Sequence, residues 1–195
     1  MFRVFILKAS EGRTAPDFSL RSLSGFGRMD LIARCILAAL CDTKGPRRNT
    51  TLTIVLEGPP DPPVALTFEG NEMQGVPVGE VKAAELVLDA LSGREADGIR
   101  MERKGFGRVV AEYKERGFSL YYLHEGGEDS RRMKFEGRAA FILGDQKGLD
   151  ARSERLLDEA AAKRVSLGPY SYLASHCIVI VNNELDKFER QLRQV

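Results

Sequence analysis

The stretch Ser166–Asp186, SLGPYSYLASHCIVIVNNELD, decides how the chain ends. Its segment Cys177–Val181 is apolar and largely β-branched, which is typical of a buried strand. A terminal strand, however, would leave a charged tail of about 14 residues unpaired. Apolar residues instead recur at helical intervals of four, three, one, four and three: Leu173, Cys177, Ile180, Val181, Leu185 and Phe188. Because β-branched residues lower helix propensity by only a few tenths of a kcal/mol each, we predict a helix from about Tyr170 to Leu192, with Pro169 suited to its first turn.

Upstream, apolar runs and helical periodicity alternate. Strands are predicted at 2–7, 50–57, 64–68, 118–123, 139–143 and 165–167, and helices at 29–41, 81–91 and 153–163. The sequence GPPDPP at Gly58–Pro63 cannot lie inside a sheet, so the strands on either side are predicted to form a hairpin. Residues 92–116 are charged and contain one short candidate helix, Val109–Glu115. This order predicts an α/β fold with a largely parallel sheet, and the length suits one domain.

Composition excludes several classes of protein. With 43% hydrophobic and 29% charged residues the chain is globular, and its net charge of +1 argues neither for nor against a nucleic-acid partner. Three cysteines without a CxxC pair, together with two histidines, predict neither a disulfide framework nor a metal site. No signal peptide is evident, and no apolar run approaches the roughly 20 residues that span a bilayer. We therefore expect a cytoplasmic protein without a membrane segment.

Ligands of open α/β sheets bind beyond the carboxyl ends of the strands. Two predicted strand ends carry glycines there, LHEGG at Leu123–Gly127 and FILGDQKG at Phe141–Gly148. Neither is a dinucleotide GxGxxG or a phosphate-binding GxxxxGK[ST] sequence. The GxG elements Gly25–Gly27 and Gly105–Gly107 do not follow predicted strands, so we interpret both as turns.

Several motifs taken together are similar to a known family. FILGDQKGLD at 141–150, followed by VSLGPYSYLASHCIVIVNNELD at 165–186, resembles the C-terminal half of the SPOUT, or α/β-knot, methyltransferases. SGFGRMDLIARC at 24–35 and YYLHEGGEDS at 121–130 make it look like the archaeal tRNA (pseudouridine(54)-N(1))-methyltransferase family. Each motif is short, but their order and spacing are specific, and the resemblance covers most of the chain.

The resemblance implies a Rossmann-like sheet whose C-terminal part, about residues 118–195, is threaded as a deep trefoil knot within a single domain, 1–195. It implies N1-methylation of pseudouridine 54 in the T-arm of tRNA, S-adenosylmethionine as cofactor, and a homodimer in which the last helix contributes to the interface. By matching position, it also implies three cofactor-binding loops, Leu123–Gly127, Leu143–Lys147 and Leu167–Leu173, with Cys177 at the start of the last helix. The cofactor-binding residues expected there are Leu123, Gly144, Leu167, Gly168, Pro169, Tyr170, Ser171, Tyr172, Leu173 and Cys177.

Methylation of pseudouridine N1 requires an imide-type proton to leave as the methyl group arrives. A protein can help by positioning both reactants, by accepting the proton, or by stabilising the developing anion. The matched N-terminal motif offers Arg28, Asp30 and Arg34 as catalytic residues. Asp30 could accept the proton or orient the base, and Arg28 could hold a phosphate or a uracil carbonyl.

Simpler interpretations stay open. Asp30 and Arg34 are spaced as an i, i+4 surface ion pair, and Cys177 lies on an apolar face where a small core residue is expected. The substrate could be a pseudouridine in ribosomal RNA, handled by a related enzyme of the same fold. A knotted protein that binds RNA without catalysis is a further alternative.

Overall fold

The computed structural model describes residues 1–192, which contain nine strands, five α-helices and two short 3-10 helices at Leu23–Gly25 and Ser130–Arg132. The strands are β1 Phe2–Ala9, β2 Cys41–Asp42, β3 Gly45–Pro46, β4 Thr50–Leu56, β5 Val64–Glu69, β6 Ile99–Glu102, β7 Ser119–Asp129, β8 Arg138–Gly144 and β9 Lys163–Ser166. The helices are α1 Met29–Leu40, α2 Glu80–Leu91, α3 Phe106–Glu115, α4 Ala151–Glu159 and α5 Ala174–Leu192. Strands β2 and β3 form a separate two-stranded ribbon.

The other seven strands form one sheet in the order β6-β5-β4-β1-β8-β7-β9. Strand β1 pairs in parallel with β4 and β8, and β7 pairs in parallel with β8 and β9. Strands β4, β5 and β6 are antiparallel neighbours. The predicted largely parallel sheet and the predicted hairpin are therefore both confirmed.

The central strand β1 separates two hydrophobic cores. Phe5 and Leu7 point to the side covered by α1, α2 and α5, which we call the α5 face. Val4 and Ile6 point to the side covered by α3 and α4, the α4 face. Because both faces of β1 are covered, its sequence is almost continuously apolar instead of alternating.

The long terminal helix is confirmed, but α5 begins at Ala174, four residues later than predicted. The suggested place for Pro169 in the first helical turn is wrong, because residues 167–173 form a loop in which Gly168 has φ +146°. The buried side is also rotated from the predicted one, since Leu173 is exposed. It consists of Ala174, Ser175, Ile178, Val181, Asn182 and Leu185.

Two other regions differ from expectation. Residues 92–116 contain the edge strand β6 as well as α3, which begins at Phe106, so Gly105–Gly107 opens a helix and is not a free-standing turn. The helix expected at 153–163 ends at Glu159, and Ala161 adopts a left-handed φ of 58° that stops it. Strand β9 therefore starts at Lys163, two residues earlier than predicted.

A buried arginine ties α5 to the amino end of the sheet. Arg3 is fully buried, and its guanidinium donates to Asn182 Oδ1 at 3.1 Å, to Asp186 Oδ1 at 2.7 Å and to Glu189 Oε1 at 3.1 Å. Arg47 donates to the other oxygen of Asp186 at 2.9 Å. The C-terminal half of α5 is thus fixed to β1 by charge-assisted hydrogen bonds.

Candidate functional site

A cleft of about 270 Å³ lies on the α5 face at the carboxyl ends of β7, β8 and β9. Its apolar walls come from strands, loops and the first turns of α1 and α5: Leu31, Leu123, Leu143, Leu149, Val165, Leu167, Leu173, Ala174 and Cys177. Its polar groups include Tyr122, His124, Glu125, Asp145, Gln146 and Ser171. Apolar walls combined with convergent polar groups are the usual composition of a small-molecule site.

The first wall is a bulge in β7. Leu123 and Glu128 both stand opposite Val165 of β9, so residues 124–127 loop out of the ladder. A Cβ atom on Gly127 would lie 2.4 Å from the Val165 nitrogen, so only glycine permits this close approach. The second glycine of the LHEGG motif therefore has a structural cause beside the cleft.

The second wall is the turn 145–150, which we call the post-β8 loop. A Cβ atom on Gly144 would lie 2.3 Å from the backbone of Gly148, and the Gly148 N–H donates to the Asp145 carbonyl at 3.0 Å. The Asp145 carboxylate accepts from the backbone N–H and the hydroxyl of Ser10 at 2.7 and 2.6 Å. The loop is thus tightly wound and tied to the residue that follows β1.

The third wall is the segment 167–173, which we call the pre-α5 loop. Tyr170, Tyr172 and Leu173 are exposed there, with 73%, 39% and 52% of their surface accessible. Cys177 lies half-buried behind this loop, and burial raises the pKa of its thiol to about 11. The Cys177 side chain is therefore a neutral thiol at physiological pH and suits a wall rather than a nucleophile.

The structure gathers nine of the ten predicted cofactor residues around this cleft. Pro169 is the exception, since it lies in the pre-α5 loop but not on the lining. The prediction missed Leu31, Tyr122, Leu149, Val165 and Ala174, which also line the cleft. These are ordinary apolar or aromatic residues of strands and helices, and only strand order and register reveal that they face a ligand site.

The three predicted catalytic residues form one cluster at the start of α1. Arg28 Nε donates to Asp30 Oδ1 at 2.9 Å and its Nη2 to Oδ2 at 3.1 Å, while Arg34 Nη2 donates to the same Oδ2 at 2.7 Å. Arg34 also lies 3.6 Å from Glu80 of α2. The hydrogen bonds from Arg28, followed by those from Arg34, outweigh burial and lower the pKa of Asp30 to about 2. Asp30 is therefore a very weak base that holds two guanidinium groups in place.

The backbone at Arg28 is unusual. Arg28 has φ 58° and ψ 40°, a left-handed conformation that non-glycine residues seldom adopt, and it forms the N-cap of α1. Gly27 before it is also left-handed, and a Cβ atom there would lie 2.0 Å from the carbonyl oxygen of Glu11. Strained residues of this kind cluster at functional sites, where the surrounding structure holds them.

The cluster adjoins the cleft. Leu31, the residue after Asp30, is part of the lining. The pKa of Arg28 is raised chiefly by its hydrogen bonds to Asp30, with a contribution from the negative charge of Asp145 on the cleft wall. Two oriented arginines therefore lie beside a cleft whose lining combines apolar and polar residues.

Within residues 1–192, no group of three or more histidine, cysteine, aspartate or glutamate side chains is arranged to hold a metal ion. None of the described helices combines the length and apolar character needed to cross a membrane.

Comparison with known families identifies the chain's relatives. A sequence model of the family described as "Putative SAM-dependent RNA methyltransferase" matches residues 2–190. The chain belongs to this family. It is 38% identical to the tRNA (pseudouridine(54)-N(1))-methyltransferase of Methanocaldococcus jannaschii over 95% of this chain and 97% of that protein. It is also 38% identical to the enzyme of the same name from Thermococcus gammatolerans, over 94% and 96% of the two chains.

Solved structures agree on the fold. The structure of Archaeoglobus fulgidus Nep1 bound to S-adenosylhomocysteine superposes with a TM-score of 0.67 at 17% identity, covering 97% of this chain and all of that one. An RNA methyltransferase of the TrmH family from Porphyromonas gingivalis gives a TM-score of 0.52 at 11% identity, covering 94% and 58%. The chain has the SPOUT, or α/β-knot, fold that the resemblance implied.

S-adenosylmethionine is the cofactor of the family, and the cleft suits it. Apolar walls can contain the adenine ring, and the lining includes Gly144 and Gly168, where no side chain separates the backbone from a ligand. Glu125 and Asp145 place carboxylates on the lining, where a molecule carrying a sulfonium and an ammonium group finds complementary charge.

Proposed function

We propose that this protein transfers a methyl group from S-adenosylmethionine to N1 of pseudouridine 54 in tRNA. The observation that carries the proposal is the Arg28–Asp30–Arg34 cluster at the edge of a cleft lined by the expected cofactor residues. The high identity to enzymes of that name over nearly the whole chain supports the substrate.

Bound S-adenosylmethionine supplies an electrophilic methyl group, so the residues of the chain must position the uracil ring and help its N1 proton to leave. Asp30 is too weak a base to take an imide proton, because two arginines hold it ionised. Arg28 and Arg34 can instead donate hydrogen bonds to a carbonyl oxygen on which negative charge develops as the proton leaves to water. We therefore assign Asp30 the role of orienting the two arginines.

The decisive test uses labelled S-adenosylmethionine and two tRNA transcripts that differ only at position 54, one with uridine and one with pseudouridine. We expect N1-methylpseudouridine in the second transcript only, identified by nucleoside mass spectrometry. Methylation of the uridine transcript would overturn the specific assignment. Methylation of a pseudouridylated ribosomal RNA fragment in place of tRNA would favour the related ribosomal enzyme, and cofactor binding without any transfer would favour a non-catalytic RNA-binding protein.

We also propose that the protein is a cytoplasmic, single-domain enzyme that acts as a homodimer through α5. Val179 on α5 is 52% exposed and lies in a shallow groove between α5 and the end of α1. The other residues that line the groove are Leu37, Ala38 and Cys41, which are apolar, and Arg47, Asn182, Asn183 and Asp186, which are polar. Apolar surface bordered by polar residues is typical of protein interaction sites.

Light scattering after size-exclusion chromatography tests the dimer. We expect the wild type to elute with twice the mass of the chain and Val179→Glu to dissociate. Met101→Glu is the matched control, because Met101 is similarly exposed but lies on the edge strand β6. A monomeric wild type, or a Val179→Glu variant that stays dimeric, would contradict this interface.

A further inference from the structure

We propose that Lys8 is a positioning residue for the cofactor, because this one residue holds both ends of the post-β8 loop. The inference rests on the proposed binding of S-adenosylmethionine in the cleft. Lys8 itself is absent from the cleft lining, since its side chain points to the opposite, α4 face of the sheet. Its effect on the cofactor must therefore pass through the loop.

The first end of the loop is held by the Lys8 backbone. The N–H of Asp145, the first residue of the loop, donates to the Lys8 carbonyl at 3.1 Å. This bond extends the parallel pairing of β1 with β8 by one residue, beyond the pair Lys8–Gly144. The start of the loop is thus held to β1 by the same kind of backbone hydrogen bond that holds strand β8.

The second end is held by the Lys8 side chain. Its ammonium group donates to Asp150 Oδ2 and to Ser153 Oγ, the latter at 2.9 Å, and it lies 3.2 Å from Glu57 Oε2. Asp150 ends the loop and caps α4, because its Oδ1 accepts from the N–H groups of Arg152 and Ser153 at 3.0 and 2.9 Å. Lys8 therefore fixes the point where the loop becomes a helix.

The charge of Lys8 is essential to this arrangement. Burial disfavours the ammonium group, but its hydrogen bonds to Asp150 and Glu57 outweigh that effect and raise the pKa of Lys8. The hydrogen bond from Lys8 is also the largest cause that lowers the pKa of Asp150. Without Lys8, the carboxylates of Glu57 and Asp150 would lose the cation that they share, and we expect the end of the loop to shift as Asp150 moves away from Glu57.

The surroundings of Lys8 argue against a role confined to packing. Its side chain lines a second cavity of about 650 Å³ together with Pro62, Phe106 and Leu156. A residue beside open space contributes less to close packing than one enclosed in the core. The same space can accept the larger side chain of an arginine.

The experiment compares the two acids that contact the same ammonium group. Asp150→Asn keeps a good helix cap but removes the charge at the end of the loop, whereas Glu57→Gln removes a charge that is not on the loop. Calorimetry of the dimer with S-adenosylmethionine gives the dissociation constant. Hydrogen exchange of amides 145–150 without cofactor reports loop order independently of activity.

We expect Lys8→Met and Asp150→Asn each to raise the dissociation constant about tenfold and to speed exchange at 145–150. The double variant should be no weaker than either single variant, Glu57→Gln should change affinity less than about twofold, and Lys8→Arg should restore most of the affinity. With saturating cofactor, kcat of Lys8→Met should fall much less than kcat/KM for the cofactor.

Wild-type affinity and exchange in a folded Lys8→Met variant would overturn the inference, as would equal effects of Glu57→Gln and Asp150→Asn. If Lys8→Met does not fold, the inference is tested by the affinities and exchange rates of Asp150→Asn, Glu57→Gln and Lys8→Arg. A wild-type protein that does not bind S-adenosylmethionine would instead refute the proposed function.

Discussion

The two ends of strand β1 each carry a buried cation, and the two cations have different partners. Arg3, at the amino end, reaches carboxylates and an amide of α5, so its hydrogen bonds connect one secondary-structure element to another. Lys8, at the carboxyl end, reaches the residue that ends a ligand-binding loop. The same kind of interaction therefore stabilises the fold at one end of the strand and shapes the cleft at the other.

The largest effect is expected from Arg3→Met, which should lower the stability of the fold without changing the cleft. Removing this buried cation leaves Asp186, Glu189 and Asn182 without their shared donor, and we expect the free energy of unfolding to fall by about 3 kcal/mol. Chemical denaturation measures this change. Arg47→Met is the matched control, since Arg47 binds the same Asp186 from a more exposed position and should cost under about 1 kcal/mol.

Cofactor affinity of the folded Arg3→Met variant should stay within about twofold of wild type, because the network lies at the opposite end of the sheet from the cleft. If Arg3→Met lost much cofactor affinity and little stability, the two ends of β1 would not have the separate roles that we assign to Arg3 and Lys8.

A smaller effect, on turnover alone, is expected from Asp30→Ala. Without the carboxylate, Arg28 and Arg34 lose their common anchor, and we expect kcat to fall at least tenfold, or about 1.4 kcal/mol of barrier, with unchanged cofactor affinity. Asp17→Ala is the control, because Asp17 forms an ion pair with Arg13 four residues away. Unchanged turnover in Asp30→Ala would indicate that the cluster is only a surface ion pair without a catalytic role.

The variant Asp30→Asn is expected to leave the pH dependence of the reaction unchanged. The pKa of Asp30 is about 2, below the ordinary value of 3.8, so its ion pairs stabilise the protein above about pH 4 and weaken as the pH falls toward 2. Between about pH 5 and 9 the carboxylate stays ionised and cannot produce a limb in the kcat profile. An acidic limb that is present in wild type and absent in Asp30→Asn would show that Asp30 is a base after all.

The sequence predicts most helices and strands but not the order of the strands in the sheet. Periodicity locates β1, α1 and α2 well, because long apolar patterns are governed by local geometry. It misplaces the start of α5, since Pro169 is equally compatible with a helix start and with a loop. It cannot show that β8 lies between β1 and β7, because that pairing joins residues more than a hundred positions apart.

Some features of the candidate site are likewise predictable from the sequence, and others depend on tertiary contacts. Glycines of the post-β8 and pre-α5 loops are visible as strand-end signals, and the resemblance to a family gives them a ligand. Lys8 looks like the polar end of an apolar strand, and Arg3 like an interruption near its start. Their roles depend on Asp150 and Asp186, whose positions relative to β1 are set by tertiary contacts alone.

The pre-α5 loop has a thermodynamic consequence. The post-β8 loop is held at both ends before any ligand arrives, whereas Tyr170, Tyr172 and Leu173 line the cleft with side chains that are still partly exposed. Ordering a residue on binding costs on the order of 1 kcal/mol or more of conformational entropy. We therefore expect the entropy and heat capacity of cofactor binding to report on the ordering of Tyr170, Tyr172 and Leu173 more than on the post-β8 loop.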